Sequence, residues 1–151
     1  MKAVIQRVAD CEVRVDGDIT GRIGKGFLIL LGVAKDDTRS DAQKLGRKIS
    51  GLRVFTDEND KMNLSLEDIG GEVLVVSNFT LCANFRKSGR RPSFDHAADP
   101  EKAEQLYEYF CELMHENGIS KVEKGIFGAD MKVSLLNDGP VTLVIDSSEL
   151  A

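Results

Sequence analysis

The chain has no tryptophan, two histidines and three cysteines among its 151 residues. Each scarcity removes a class of chemistry. Cys11, Cys82 and Cys111 are odd in number and widely scattered, and no pair has metal-ligand spacing. They read as buried thiols in a reducing cytoplasm. His96 and His115 leave little material for a histidine-based metal centre. No apolar run approaches the roughly 20 residues of a membrane-spanning helix. Met1-Lys2-Ala3-Val4-Ile5 runs straight into a strand-like pattern, so neither a signal peptide nor a membrane partner is expected. There is no excess of positive charge either. A net charge of −5 argues against broad nucleic-acid binding driven by the whole-molecule field, while leaving room for a local basic patch. Repeats, low-complexity segments and linkers are missing, so one domain spanning 1–151 is expected.

What is present reads as a mixed α/β chain. Val4–Val8 is a strand pattern, and Cys11, Val13 and Val15 alternate with Glu12, Arg14 and Asp16. Asp16-Gly17-Asp18 and Gly24-Lys25-Gly26 read as turns around Ile19–Ile23. Phe27–Val33 is almost wholly apolar, as in a strand covered on both faces. Together these predict four strands in an antiparallel meander. A helix follows, capped at Asp37 or Thr38, with Ala42, Leu45, Ile49 and Leu52 on one face. Phe55 to Gly71 is polar and irregular. Its acidic run Asp57-Glu58-Asn59-Asp60 lacks the pattern of a calcium loop and reads as a turn. Val73–Val76 is a buried strand. Asp99-Pro100-Glu101 opens a second helix with a cap, a first-position proline and a first-turn acid, and Gly118 ends it. Met131–Leu136 and Val141–Ile145 read as two last strands.

Three stretches carry chemical interest. Ser77-Asn78-Phe79-Thr80 places two hydroxyls and an amide at the end of an apolar strand. The plain reading is strand-end residues bonding their own backbone. The sharper one is a pocket floor whose backbone N–H groups hold an oxyanion. No histidine or acid stands near in sequence to activate a hydroxyl, and the motif alone leaves both readings open. Arg86, Lys87, Arg90 and Arg91 pack four cations into one loop containing Gly and Pro, which reads as a phosphate-gripping loop or as ordinary exposed surface. Asn137-Asp138-Gly139-Pro140-Val141-Thr142 interrupts the last two apolar runs. A tight turn is the plain reading. The alternative is a rigid probe that touches a ligand. An X-Pro bond is where a cis peptide costs only about 0.5–1 kcal/mol, and in cis two successive carbonyls can point the same way.

Taken together, Ser77-Asn78-Phe79-Thr80-Leu81 and Asn137-Asp138-Gly139-Pro140-Val141-Thr142 resemble the two signature motifs of the D-aminoacyl-tRNA deacylases. Ile5-Gln6-Arg7-Val8, Lys61-Met62-Asn63-Leu64, Arg91-Pro92-Ser93-Phe94 and Ala129-Asp130-Met131 look familial too, so the resemblance covers the whole chain. One departure is visible: Asn78 stands where the family motif usually has Gln, keeping the amide on a side chain one methylene shorter. The resemblance implies an α+β fold, a largely antiparallel barrel-like sheet with two main helices. It implies a homodimer with its active site at the subunit interface, and no metal or organic cofactor. The reaction would be hydrolysis of the ester between a D-amino acid, or glycine, and the 3′-terminal ribose of tRNA. Carried onto this sequence, Ser77, Phe79 and Thr80 are the catalytic group, with the Phe79 and Thr80 N–H groups as oxyanion donors. Gly139-Pro140, in cis, reaches into the other subunit's pocket and rejects L-amino acids. Arg7, Asn78, Met131 and Asn137 support the pocket, and Arg86, Lys87, Arg90 and Arg91 bind tRNA. Without a base beside it, Thr80 is expected to position substrate, and the tRNA ribose to assist the reaction. The rival reading is a non-catalytic homodimer that binds tRNA or other nucleic acid.

Overall fold

The computed structural model describes residues 1–87 and 89–151; Ser88, a member of the cationic loop, lies outside them. β1 (Lys2–Val15) is one strand of 14 residues that takes in both stretches the pattern separates. The alternation slips at Ala9 and Asp10, both exposed, because the strand changes partners there. Asp16 and Gly17, at φ 51° and 84°, turn the chain into β2 (Asp18–Ile23), which pairs with the second half of β1. β3 (Gly26–Gly32) does not continue a meander beside β2. It returns to the first half of β1, from Lys2↔Gly32 to Val8↔Gly26. The expected four-strand meander is thus three strands, with β1 shared by the other two. An apolar run such as Phe27–Leu31 needs cover on both faces, and the place beside the buried half of β1 provides it.

α1 (Arg39–Ser50) follows Thr38, whose N–H donates to the Asp41 carboxylate at 2.8 Å, and it buries Ala42, Leu45 and Ile49 as its periodicity predicts. The irregular stretch holds more structure than its composition announces. β4 (Phe55–Thr56) and β5 (Met62–Leu64) make a small hairpin, and α2 (Leu66–Ile69) is a single turn capped by Ser65. β6 (Glu72–Ser77) lies parallel to β3. A Cβ at Gly26 would fall 1.8 Å from the Glu72 carbonyl oxygen, so only glycine lets these two strands start side by side. A 3₁₀ turn, Phe79–Cys82, leads into the cationic loop, and α3 (Pro100–Glu116) follows. β7 (Val122–Lys124) pairs parallel with β6. β8 (Lys132–Asp146) runs antiparallel to β1 from Lys2↔Asp146 to Arg14↔Lys132.

The result is a mixed, barrel-like sheet in the order β2-β1-β3-β6-β7, with β8 on the other side of β1. The expected barrel and its two main helices are present; the sheet is less uniformly antiparallel than expected because β3, β6 and β7 run parallel. α1 and α3 cover one face, burying Leu45, Ile49, Tyr107 and Phe110 against Ile5, Phe27, Ile29, Leu31, Val73 and Val75. Val8, Cys11, Val13, Ile23, Leu28, Leu74 and Val76 form a second, smaller cluster on the opposite face. β3 and β6 are therefore buried on both sides, which is why they read as continuous apolar runs rather than alternating ones. The buried Tyr107 hydroxyl donates to the Val75 carbonyl at 2.9 Å. Among the described residues no helix is long and apolar enough to cross a membrane.

Candidate active site

β6 ends at Ser77, and Asn78 turns the chain out of the sheet. Its N–H donates to the Leu31 carbonyl at 2.8 Å, while its side-chain Oδ1 accepts from the Thr80 N–H at 3.2 Å and from the Thr80 hydroxyl. This is an Asx-type cap, the local bonding that makes asparagine suitable at such a position. It alters the expected oxyanion site. The Thr80 N–H is already engaged by Asn78. The Phe79 N–H, first in the 3₁₀ turn, has no acceptor within it. The Thr80 hydroxyl faces an amide oxygen rather than a base, so its proton has no strong acceptor.

A cavity of about 920 Å³ opens beside this turn, within the range of small-ligand sites. Ser77, Asn78, Phe79 and Thr80 line one part of it. Leu28, Leu30 and Val76, at the end of the second core cluster, give an apolar wall. Phe94, Ala97 and Ala98 come from beyond the cationic loop, and Phe127 to Met131 close another side. Phe79 is 58% exposed and meets Phe94 edge-on, with ring centroids 5.0 Å apart. Gln6, Phe94 and Phe127 line the cavity although sequence reasoning gave them no role. Gln6 carries a signal in hindsight, a lone amide between the buried Ile5 and Val8.

Ionisable groups are sparse here. Asp130 lines the cavity but is exposed and paired with Lys132 at 3.0 Å. Burial pushes the Cys11 and Cys111 thiols up to about 12, and burial also raises Cys82, so none is a thiolate near neutral pH. Among the described residues, no group of three or more His, Cys, Asp and Glu is placed to hold a metal ion.

The Gly139-Pro140 stretch is not a hairpin turn. Both flanking runs belong to β8 and pair with the same strand, β1. Val8 faces Asn137 and Gln6 faces Thr142, so residues 138–141 stand opposite Arg7 alone and bulge out of the ladder. Two side chains hold the bulge. Asn137 Nδ2 donates to the Val141 carbonyl and to Thr142 Oγ1, each at 3.1 Å, and the Val141 N–H donates back to Asn137 Oδ1 at 2.9 Å. Arg7, 9% exposed, donates from Nε to the Asp138 carbonyl at 2.8 Å and from Nη1 to the Val54 carbonyl at 2.7 Å. The Gly139–Pro140 peptide is cis, and both residues are exposed.

The expected site residues thus fall into three groups. Ser77, Asn78, Phe79, Thr80 and Met131 meet at the cavity. Arg7 and Asn137 brace Gly139-Pro140 elsewhere, and neither Gly139 nor Pro140 is among the described residues lining the cavity of its own chain. Arg86, Lys87, Arg90 and Arg91 are exposed, and the loop carrying them leaves from the 3₁₀ turn and returns at Phe94, both on the cavity. An antiparallel bridge, Asn84↔Ser93, pins its base. Lys87 pairs with Asp95 at 2.6 Å; among the described residues no ion pair engages the other three.

Known proteins resemble this chain over nearly its whole length. A family model described as D-Tyr-tRNA(Tyr) deacylase matches residues 4–146. A D-aminoacyl-tRNA deacylase of Sulfurihydrogenibium sp. (strain YO3AOP1) is 58% identical over 150 residues, covering 99% of this chain and 100% of that protein. One from Caldicellulosiruptor saccharolyticus is 58% identical over 151 residues, with 99% of each covered. Among solved structures, a protein called c-Myc DNA Unwinding Element Binding Protein superposes with a TM-score of 0.90 at 40% identity, covering 97% of this chain and 98% of that one. A probable eukaryotic D-amino acid tRNA deacylase shares the fold, with a TM-score of 0.82 at 17% identity over 96% of this chain and 98% of its own. Matched from residue 4 to residue 146 and more than half identical to full-length relatives, the chain belongs to the D-Tyr-tRNA(Tyr) deacylase family.

Proposed function

We propose that this protein hydrolyses the ester between a D-amino acid, or glycine, and the 3′-terminal ribose of tRNA. It acts as a cytoplasmic homodimer without a cofactor, with 1–151 as one deacylase domain. One observation carries the chemistry: the cavity meets the start of the 3₁₀ turn, where the Phe79 N–H has no acceptor within the turn, and the one carboxylate among the described lining residues, Asp130, is paired with Lys132. An aminoacyl ester is already activated, so the site needs position and an oxyanion donor more than a powerful acid or base. Water attacks the ester carbonyl, the Phe79 N–H holds the developing oxyanion, and the ribose oxygen leaves with a proton. The adjacent ribose hydroxyl helps to place the water. Ser77 and Thr80, the latter fixed by Asn78, shape the wall around the reacting carbon.

Chiral selection falls to Gly139-Pro140 of one subunit, set beside Ser77 and Phe79 in the pocket of the other. Gly139 and Pro140 are exposed, their bulge is braced at both ends, and neither is among the described residues lining the cavity of its own chain, which supports a partner's pocket as their target. β8 supports an interface as well: among the described residues it pairs with β1 alone, and Leu136 and Val144 are exposed on it. Rejecting one hand requires an obstacle where its side chain would go, and braced backbone cannot rotate away. Glycine has no side chain to reject and passes.

After dialysis against EDTA, the protein should release amino acid from D-aminoacyl-tRNA and glycyl-tRNA at the undialysed rate. Loss of activity restored by a divalent metal would contradict the mechanism. A second reading, nucleic-acid binding without ester cleavage, has one observation in its favour, the exposed cationic loop; tight tRNA binding with no ester loss would support it. On the deacylase reading that loop grips phosphates. Replacing Arg90 and Arg91 with glutamine should raise KM for tRNA and leave kcat nearly unchanged. The dependence of log affinity on log salt should flatten by roughly 0.7–0.9 for each phosphate no longer gripped. An unchanged slope would make the loop ordinary surface.

A further inference from the structure

A second cavity, of about 620 Å³, lies against the first. The two share a ridge: Thr80, Ala97 and Val33 line one, and Cys82, His96 and Ala34 line the other. The second wall also includes Lys2, Asn84, Phe85 and Arg86, with no acidic residue among its described members.

Phe85 is 78% exposed, more than any other large apolar side chain among the described residues. Its neighbours on both sides are fixed. Asn84 exchanges backbone bonds with Ser93 at 2.7 and 3.0 Å, and its Oδ1 accepts from the Arg86 N–H at 3.0 Å. Asn84 Nδ2 lies 3.0 Å from His96 Nε2; the amide N–H donates, so the ring nitrogen accepts. An exposed ring on braced backbone, flanked by Lys2 and Arg86, joins the two elements that hold single-stranded nucleic acid, an aromatic stacking face and cations for the backbone.

We propose that Phe85, with Lys2, Arg86 and His96, forms a subsite for an unpaired nucleotide of the RNA 3′ end, next to the one whose ester occupies the main cavity. The inference rests on the deacylase reading and extends it. The nucleotide's base stacks on the Phe85 ring, and its phosphate faces Lys2 and Arg86. A protein partner fits less well, because the one large apolar side chain is a single ring, with only the small Ala34, Cys82 and Ala83 beside it, bordered by cations and an amide. A substrate cut back to the terminal nucleoside cannot reach across the ridge, so it leaves the Phe85 ring unstacked.

The test compares two substrates: D-aminoacyl-tRNA and the D-aminoacyl ester of adenosine alone. For full-length Phe85→Ala, KM for the tRNA should rise about tenfold, as expected for one stacked base. Its kcat should stay within about twofold, and both constants for the adenosine ester should be unchanged. Phe85→Tyr should restore the tRNA KM and Phe85→Leu should not, because stacking needs a ring. An unchanged tRNA KM overturns the subsite. So does an equal rise on the adenosine ester, and so does a change in sedimentation showing that Phe85 holds subunits together. Wild-type protein that cleaves neither substrate overturns the deacylase reading and the subsite with it; wild-type protein that cleaves both while Phe85→Ala matches it overturns the subsite alone.

Discussion

Replacing Gly139 with alanine should collapse the preference for D- over L-aminoacyl-tRNA by about 100-fold, or about 2.7 kcal/mol. The cause lies in the backbone. A Cβ at Gly139, where φ is 154°, would fall 2.6 Å from the Val141 nitrogen and 2.8 Å from its Cγ2. Neither atom can withdraw cheaply, because the Val141 N–H is bonded to Asn137 and the Val141 side chain is buried. The bulge must shift, and with it the obstacle to the L side chain. Discrimination is a ratio of two kcat/KM values, so an obstacle displaced by a fraction of an ångström relieves the L substrate while loosening the D substrate. Asn137→Ala, which removes the three bonds at the base of the bulge, should act in the same direction. The check is kcat/KM for both enantiomers on one tRNA, with thermal unfolding measured alongside. A variant that slows both hands equally and keeps their ratio would separate Gly139 from selection.

Removing the ribose hydroxyl adjacent to the ester should lower kcat by about 100-fold, within the range of positioned acid–base assistance. Thr80→Ala should keep the rate within about tenfold of wild type. Both effects have one origin. The Thr80 hydroxyl donates to the Asn78 amide oxygen, and among the described residues no imidazole, amine or carboxylate accepts from it. A hydroxyl held in that way is a poor nucleophile, whereas the Phe79 N–H survives the substitution. Proton traffic then has to come from the substrate. Single-turnover assays with 2′-deoxy-terminated tRNA, and a search for a covalent acyl-protein by mass spectrometry, decide the matter. A trapped acyl-Thr80, or a full rate on the deoxy substrate, would refute ribose assistance.

Much of this architecture is legible in the sequence, and its gaps have physical causes. The stripe Ala42-Leu45-Ile49 and the Asp99-Pro100-Glu101 start disclose α1 and α3, because capping and amphipathic period are local properties. The continuity of β1 through Ala9 and Asp10 is hidden, because a strand that swaps neighbours loses its alternation there. β8 misleads for a related reason. Glycine followed by proline between apolar runs looks like a turn, and only the pairing of both runs with β1 turns it into a bulge. The parallel β3-β6-β7 arrangement rests on pairings far apart in sequence, and the three residues of β7 carry no pattern of their own. At the site, the plain reading of Ser77–Thr80 describes the local bonding. Asn78 spends its amide on Thr80, as strand-end residues do, yet the turn it caps borders the main cavity. The bracing of Gly139-Pro140 by Arg7 cannot be read at a separation of 131 residues, because nothing near Arg7 in sequence announces its acceptor.

The most direct measurement of the central claim uses one tRNA charged with the two enantiomers of one amino acid. Ester loss is followed over time at catalytic protein concentration in EDTA. The account predicts that the D ester disappears over many turnovers while the L ester decays at its rate in buffer. Equal loss of both esters, or persistence of the D ester, would contradict it.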